Sequence, residues 1–449
     1  MDLFKQLSKK TLLEITFIAW PMAFNAVLLQ SVTIIDLLLV ASLGDVSVAA
    51  YGVAGAIVAF VLGVQFAIAN GTQLVLSRAV GAGNIKKIGL EVASGWVANI
   101  GFSLIALILL FFFSEPLVNF ITHDDGVARQ AISYIYASLY LLFFSSISQV
   151  IVVYFNASKK SRTPLYGFLI EIPLNVICSA ALIHGLWGAP ELGLAGAAWG
   201  SVFAICIRFI YLAYQFNREK LQGFVAGFSV VNFTSVKAHM DEVIPIVANF
   251  VVLLTGQMLF QALFAQLPVS SYAAITLIMP WIKIGSLFVN AWAQSSTIIV
   301  SQFIGSANFK NIPPFVLQSK LIATLMSLLM VIGFYLFSLS VPYIYPKLSL
   351  ETITALAVIA PCYFLVPLFR TNNMFCGNMI RAMGESYLIV RINIISLWMI
   401  SLPLCALLVY LDVPLVMIFG ITIFDEIIKF YPFRKTLMNK LNSYTHSVN

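Results

Sequence analysis

Twelve stretches of about twenty or more mostly apolar residues recur along this 449-residue chain, and no other feature constrains its fold as much. They lie near 13–41, 47–76, 91–113, 129–155, 163–184, 193–216, 241–266, 272–303, 315–338, 352–379, 386–410 and 412–432. A helix rising 1.5 Å per residue crosses the roughly 30 Å hydrocarbon core of a bilayer in about 20 residues, so each run is long enough to span. Several are longer than that, which predicts tilt, kinks or extension beyond the bilayer. The fold class is therefore all-α integral membrane.

The composition agrees. Of the residues, 61% are hydrophobic and 10% charged, with a mean hydropathy of +0.97, whereas soluble domains carry roughly 25% charged residues. So few polar side chains cannot wet the surface of a soluble globule. The net charge of +7 does not imply nucleic acid, because the basic residues sit in short clusters between apolar runs (Lys9-Lys10, Lys86-Lys87, Lys159-Lys160, Arg434-Lys435). Such clusters are topology signals. The five cysteines lie in or beside apolar runs without CxxC spacing, and the four histidines are scattered without HExxH or paired spacing. Cysteines so placed read as small buried hydrophobes, and neither residue type forms a metal motif. The first apolar run, from about Thr11 to Leu43, is too long for a signal-peptide core and reads as the first membrane helix.

Charge asymmetry orients the spans. One set of loops carries Arg78, Lys86, Lys87, Lys159, Lys160, Arg162, Arg218, Lys220, Lys237, Lys310 and Arg381; the other carries Asp45, Glu115, Asp124, Asp125, Glu191 and Asp412, with Arg129 and Lys347 its clearest bases. Basic loops stay inside, which places both termini in the cytoplasm and the protein in the plasma (inner) membrane. The mixed-polarity stretch at 218–238 separates six spans from six. It divides the chain into an N-terminal lobe (1–217), a cytoplasmic linker (218–238) and a C-terminal lobe (239–449).

The two halves repeat. An ungapped shift of 224 residues carries Pro21 onto Pro245, Asn25 onto Asn249, Ala49-Ala50 onto Ala273-Ala274, Ser77 onto Ser301, Gly81 onto Gly305, Asn84 onto Asn308 and Lys86 onto Lys310. SRAVGAGNIKK thus aligns with SQFIGSANFKN. Six spans per half make both copies enter the membrane in the same sense. The expected architecture is two pseudo-symmetric six-helix bundles related by an axis along the membrane normal, a design of alternating-access carriers.

These residues resemble the multidrug and toxic compound extrusion family. The resemblance covers nearly the whole chain and is strongest in IIDLLLVASLGDVSVAAYGVAG, SRAVGAGNIKK, and IEIPLNVICSAALIHGLWGAPELGLAGAAWGS across spans 5 and 6. It implies a V-shaped pair of bundles, acting as a monomer, that exports small amphiphilic, often cationic compounds in exchange for H⁺ or Na⁺. It implies no cofactor, no nucleic acid and no partner besides membrane lipid.

An ionisable side chain within a span is costly unless it meets water or a partner, so each needs a role. Asp36, in LLQSVTIIDLLLVAS, has Phe260 as its repeat equivalent, so this acid belongs to the first half alone. A carboxyl in a low-dielectric surrounding can take up and release a proton, or neutralise a cationic substrate. The resemblance agrees: Asp36 matches the span-1 aspartate of the DinF-like branch, Asn175 a span-5 asparagine beside it and Tyr134 a span-4 tyrosine of the same pocket. Where that pattern often has a further aspartate, this chain has Ser179. Glu171 lies on the same helical face as Asn175 and Ser179 and can replace the missing charge. The span-7 acid of other branches is absent, leaving Gln257 and Gln261. In the second half, Gln257, Gln261, Lys283 and Arg370 are candidates for the substrate cavity. Arg208 and Arg391 lie towards the cytoplasmic side, where they are expected to snorkel. Pro21 removes a backbone donor and should kink span 1, a candidate hinge below Asp36.

Other classes lack their marks. No GxxxxGK[ST] is present for a primary pump, no nucleophile–base pair for an enzyme and no repeated filter segment for a channel. The alternatives left open are a flippase for a lipid or lipid-linked oligosaccharide, and a Na⁺-coupled drug antiporter. H⁺ is favoured over Na⁺ because a proton needs a single carboxyl, whereas a bare Na⁺ needs several oxygen ligands.

Overall fold

A computed structural model describes residues 9–219, 227, 229–345 and 348–446. Lys220 and the rest of 220–226, with position 228, lie outside the described residues, so part of the expected linker does.

Twelve long helices follow one another: α1 (Lys9–Ala41), α2 (Asp45–Gly81), α3 (Ile85–Ile121), α4 (Asp125–Ala157), α5 (Arg162–His184), α6 (Leu194–Arg218), α7 (Phe233–Phe264), α8 (Val269–Gly305), α9 (Ile312–Ile344), α10 (Leu350–Ala382), α11 (Ser386–Tyr410) and α12 (Leu415–His446). The all-α expectation holds. Among the described residues eleven of these helices are long and apolar enough to cross a membrane. α12 falls short of the same measure and carries Asp425, Glu426 and Lys429 along its length.

Local chemistry sets the ends. Asn84 accepts from the Lys87 amide to cap α3, Asp124 from Val127 to cap α4, and Ser349 from Thr352 to cap α10. The turn after α2 needs a left-handed residue, supplied by Gly83 at φ +64°. Its repeat equivalent, Ala307, holds φ +56°, so the second copy makes the same turn against the steric preference of its Cβ. Within α11 the ladder widens to i→i+5 bonding over Ile394–Ser401, a geometry found mostly at functional positions. α1 continues unbroken through Pro21.

The chain packs as two compact units. One is Phe24–Val247; the other joins the start of α1, through Ala23, to the chain from Ala248 onward. The two division points, after Ala23 and after Val247, are 224 residues apart, so the repeat governs packing as well as sequence. We call these the N unit and the C unit.

The start of α7 belongs to the N unit, and its contacts show why. Gly71 of α2 lies so close to Val243 that a Cβ there would approach its side chain to 2.9 Å. Arg78 pairs with Glu242 at 2.9 Å, and His239 sits between Glu91 (Nδ1 to Oε2, 2.8 Å) and Thr72 (Nε2 to Oγ1, 3.0 Å).

Small residues bring α5 and α6 together. A Cβ on Gly196 would meet the Leu182 carbonyl group, and one on Gly200 would meet the Ser179 backbone. Glycines four apart let two backbones approach closely, as is common between membrane helices. The core of the N unit joins these helices to the rest, with Val40, Ala54, Tyr134, Ile183 and Ala197 in one packed cluster. Phe264, Ile278, Tyr363, Leu397 and Phe419 pack in the corresponding cluster of the C unit.

Candidate functional site

In the N unit, Asp36 lies one turn before Val40 on α1, so packing of Val40 into the core draws the acid inward. Its residue is 7% exposed, and Oδ1 has no hydrogen-bond partner among the described residues. Tyr51 of α2 and Tyr134 of α4 meet edge to face, with ring centroids 5.6 Å apart. Both phenols lie within electrostatic reach of the Asp36 carboxylate. The structure therefore brings Asp36 and Tyr134 together and adds Tyr51, which the sequence reading missed. Its one signal was the pairing of aromatic and acidic residues across the first interhelical turn.

The approach of α6 orients the polar face of α5. Asn175, buried, donates through Nδ2 to Ser201 Oγ at 2.7 Å, leaving its Oδ1 without a partner among the described residues. Ser179 donates to the Ala197 carbonyl at 3.4 Å. One turn earlier, the Glu171 carboxylate lies 2.8 Å from Arg208 Nη1, and that guanidinium sits 4.4 Å over the Phe168 ring. Here the expectation for Arg208 is corrected. The side chain does not snorkel; it is held in the protein, 2% exposed, by a carboxylate and an aromatic face. Asp36 and Glu171 thus differ in surroundings: among the described residues Glu171 has a counter-charge in Arg208 and Asp36 has none.

In the C unit, Gln257 and Arg370 line one cavity of about 210 Å³, whose wall also includes Asn373, Arg381, Glu426 and Lys429. Gln261 and Lys283 are exposed and do not line it. The acid–base cluster of α12 escaped the sequence reading, although FDEIIK has the i, i+4 spacing of a helical ion pair. Lys429 and Asp425 lie 2.5 Å apart, and Asp425 also accepts from Ser401 at the end of the wide-turn segment. Among the described residues no group of three or more His, Cys, Asp or Glu could hold a metal ion.

The family model MatE matches residues 21–180 and 245–407, two stretches whose starts are again 224 residues apart. This chain belongs to the MatE family, the multidrug and toxic compound extrusion transporters, and is a membrane carrier rather than an enzyme. Among its curated relatives, "Uncharacterized transporter YisQ" of Bacillus subtilis (strain 168) is 26% identical over 420 residues, 87% of this chain and 86% of that protein. "Probable multidrug resistance protein NorM" of Thermotoga maritima is 24% identical over 354 residues, 77% of this chain and 74% of the relative. The fold matches the crystal structure of the Vibrio cholerae MATE transporter VcmN in the bent form, with a TM-score of 0.86 at 18% identity over 96% of this chain and 97% of the other.

Proposed function

We propose that this protein exports small amphiphilic, often cationic compounds by alternating access, driven by inward movement of H⁺. The observation that carries the reading is Asp36: a buried carboxyl, set in the apolar run 34–40 of α1, with one oxygen that has no partner among the described residues and two phenols in electrostatic reach. Its ionised form attracts a cationic substrate, and its protonated form does not. Proton uptake from outside thus favours substrate release, and proton loss to the cytoplasm resets the site. Asn175, Ser179 and Tyr134 shape the polar surroundings, and Glu171 acts through Arg208. Pro21 is the hinge of α1; the relative solved in a bent form supports a family that changes shape.

The same proposal keeps both termini in the cytoplasm and the monomeric state. It keeps the DinF-like assignment on Asp36, Asn175 and Tyr134, and it reads the inherited halves as 1–217 and 239–449 about a 218–238 linker. The NorM relative's description as a multidrug resistance protein supports a drug-like substrate. H⁺ is preferred to Na⁺ because Ser179 stands where a second carboxylate would complete an oxygen cage.

The test uses purified protein in liposomes with a fluorescent cationic dye. A pH gradient without Na⁺ should drive dye movement, and a Na⁺ gradient at symmetric pH should not. Transport driven by the Na⁺ gradient alone would reject the proton assignment.

A further inference from the structure

The cavity of the C unit has a charge balance unlike that of the N unit. Three cations, Arg370, Arg381 and Lys429, stand on its wall with one carboxylate, Glu426. Lys429 is committed to Asp425. Glu426 accepts from Asn373 Nδ2 at 2.9 Å and faces Arg370 only distantly, at 3.9 Å. The Arg381 side chain has no ion pair or hydrogen bond among the described residues, although its Nε is buried. Three cations against two acids leave one positive charge uncompensated.

A buried guanidinium nitrogen without a partner is costly, and native proteins seldom leave one unexplained. Arg381 stands in the last turn of α10, where the helix dipole favours a cation; this accounts for its charge but not for its orphaned Nε. The surroundings are built rather than incidental. Asn393 donates to Asn249 at 2.6 Å beside the cavity, and it is the residue from which the wide-turn segment of α11 departs. The Gln257 amide adds a donor to the wall.

We propose that this cavity binds an oxyanion, a phosphate or carboxylate group, with Arg381 as its principal contact and Arg370 and Gln257 as further donors. A planar guanidinium offers parallel N–H donors that match two oxygens of such a group. At about 210 Å³ the cavity is below the roughly 300–1,000 Å³ of sites for drug-sized molecules, so it takes a headgroup or small anion rather than a whole amphiphile. The oxyanion can come from a lipid headgroup or from a soluble small molecule, including the acidic end of a zwitterionic substrate.

The experiment measures binding without transport, so its outcome is independent of the export reading. Full-length protein in phosphatidylcholine nanodiscs is titrated with inorganic phosphate against chloride at matched ionic strength. Wild type should bind saturably, Arg381→Gln at least about tenfold more weakly, and Arg381→Lys in between. In nanodiscs containing phosphatidylglycerol, native mass spectrometry shows the source. A retained anionic lipid that phosphate displaces and Arg381→Gln loses identifies a headgroup; phosphate binding with no retained lipid identifies a soluble oxyanion. Should Arg381→Gln fail to fold, Arg370→Gln serves, with weakened binding expected. No saturable binding by wild type, or equal binding by the folded variants, overturns the proposal.

Discussion

Arg208 and Glu171 form an ion pair across α5 and α6, 2.8 Å between Nη1 and Oε2, with the guanidinium almost wholly buried. Burying two charges costs desolvation that their attraction roughly repays, so the pair specifies how α5 and α6 meet more than it adds stability.

Removing one partner is another matter. Glu171→Ala leaves a buried cation, which should cost about 3–5 kcal/mol. The double variant Glu171→Leu/Arg208→Met should recover much of that loss. Thermal unfolding in detergent reads both, and a double variant no more stable than Glu171→Ala would count against the pairing argument.

Asp36 has no such partner among the described residues. Asp36→Asn preserves shape and hydrogen-bonding capacity and removes only the titrating group, so the protein should insert and fold as wild type. Coupled efflux of a cationic dye should fall to background in cells with matched protein levels. Wild-type efflux by this variant would remove Asp36 from the mechanism.

Gly200 bears on the site through backbone spacing. A Cβ there would stand 2.5 Å from the Ser179 amide nitrogen and 2.6 Å from its Cα, so Gly200→Ala must push α5 from α6. The expected cost is about 1–3 kcal/mol, with loss of the Asn175–Ser201 hydrogen bond. Gly101→Ala is the control, since a Cβ there meets nothing within 4 Å. Comparable melting temperatures for the two variants would refute the close-approach argument.

His239 ties the start of α7 to α2 and α3. His239→Ala leaves Glu91 and Thr72 without that partner, and loss of a charge-assisted hydrogen bond costs about 1.5–3 kcal/mol. Hydrogen exchange should accelerate over 233–247 and leave α5 and α6 unchanged. Unchanged exchange at the start of α7 would show that the docking rests on the Gly71–Val243 and Arg78–Glu242 contacts without His239.

The spans were legible because lipid imposes its demand residue by residue: a helix that meets hydrocarbon must be apolar along its own length. Asp36 was legible for the same reason, as an acid that an apolar run ought not to contain. α12 carries charges that its apolar pattern did not explain: Asp425 pairs with Lys429 and accepts from Ser401, and Glu426 accepts from Asn373 of α10, all inside the C unit.

The sequence by itself determined the apolar spans, the 224-residue repeat and the presence of Asp36 inside the first apolar run, since each is written in local hydropathy or in self-similarity. Only the tertiary structure decided that the packing units divide after Ala23 and Val247, that Glu171 answers Arg208, and that Arg370 and Arg381 share one cavity wall while Lys283 stands apart. Those outcomes depend on which helix faces meet and how closely glycine lets them come. Residues such as Arg208 and Glu171 lie 37 positions apart along the chain, and nothing local to either encodes the distance between them in space.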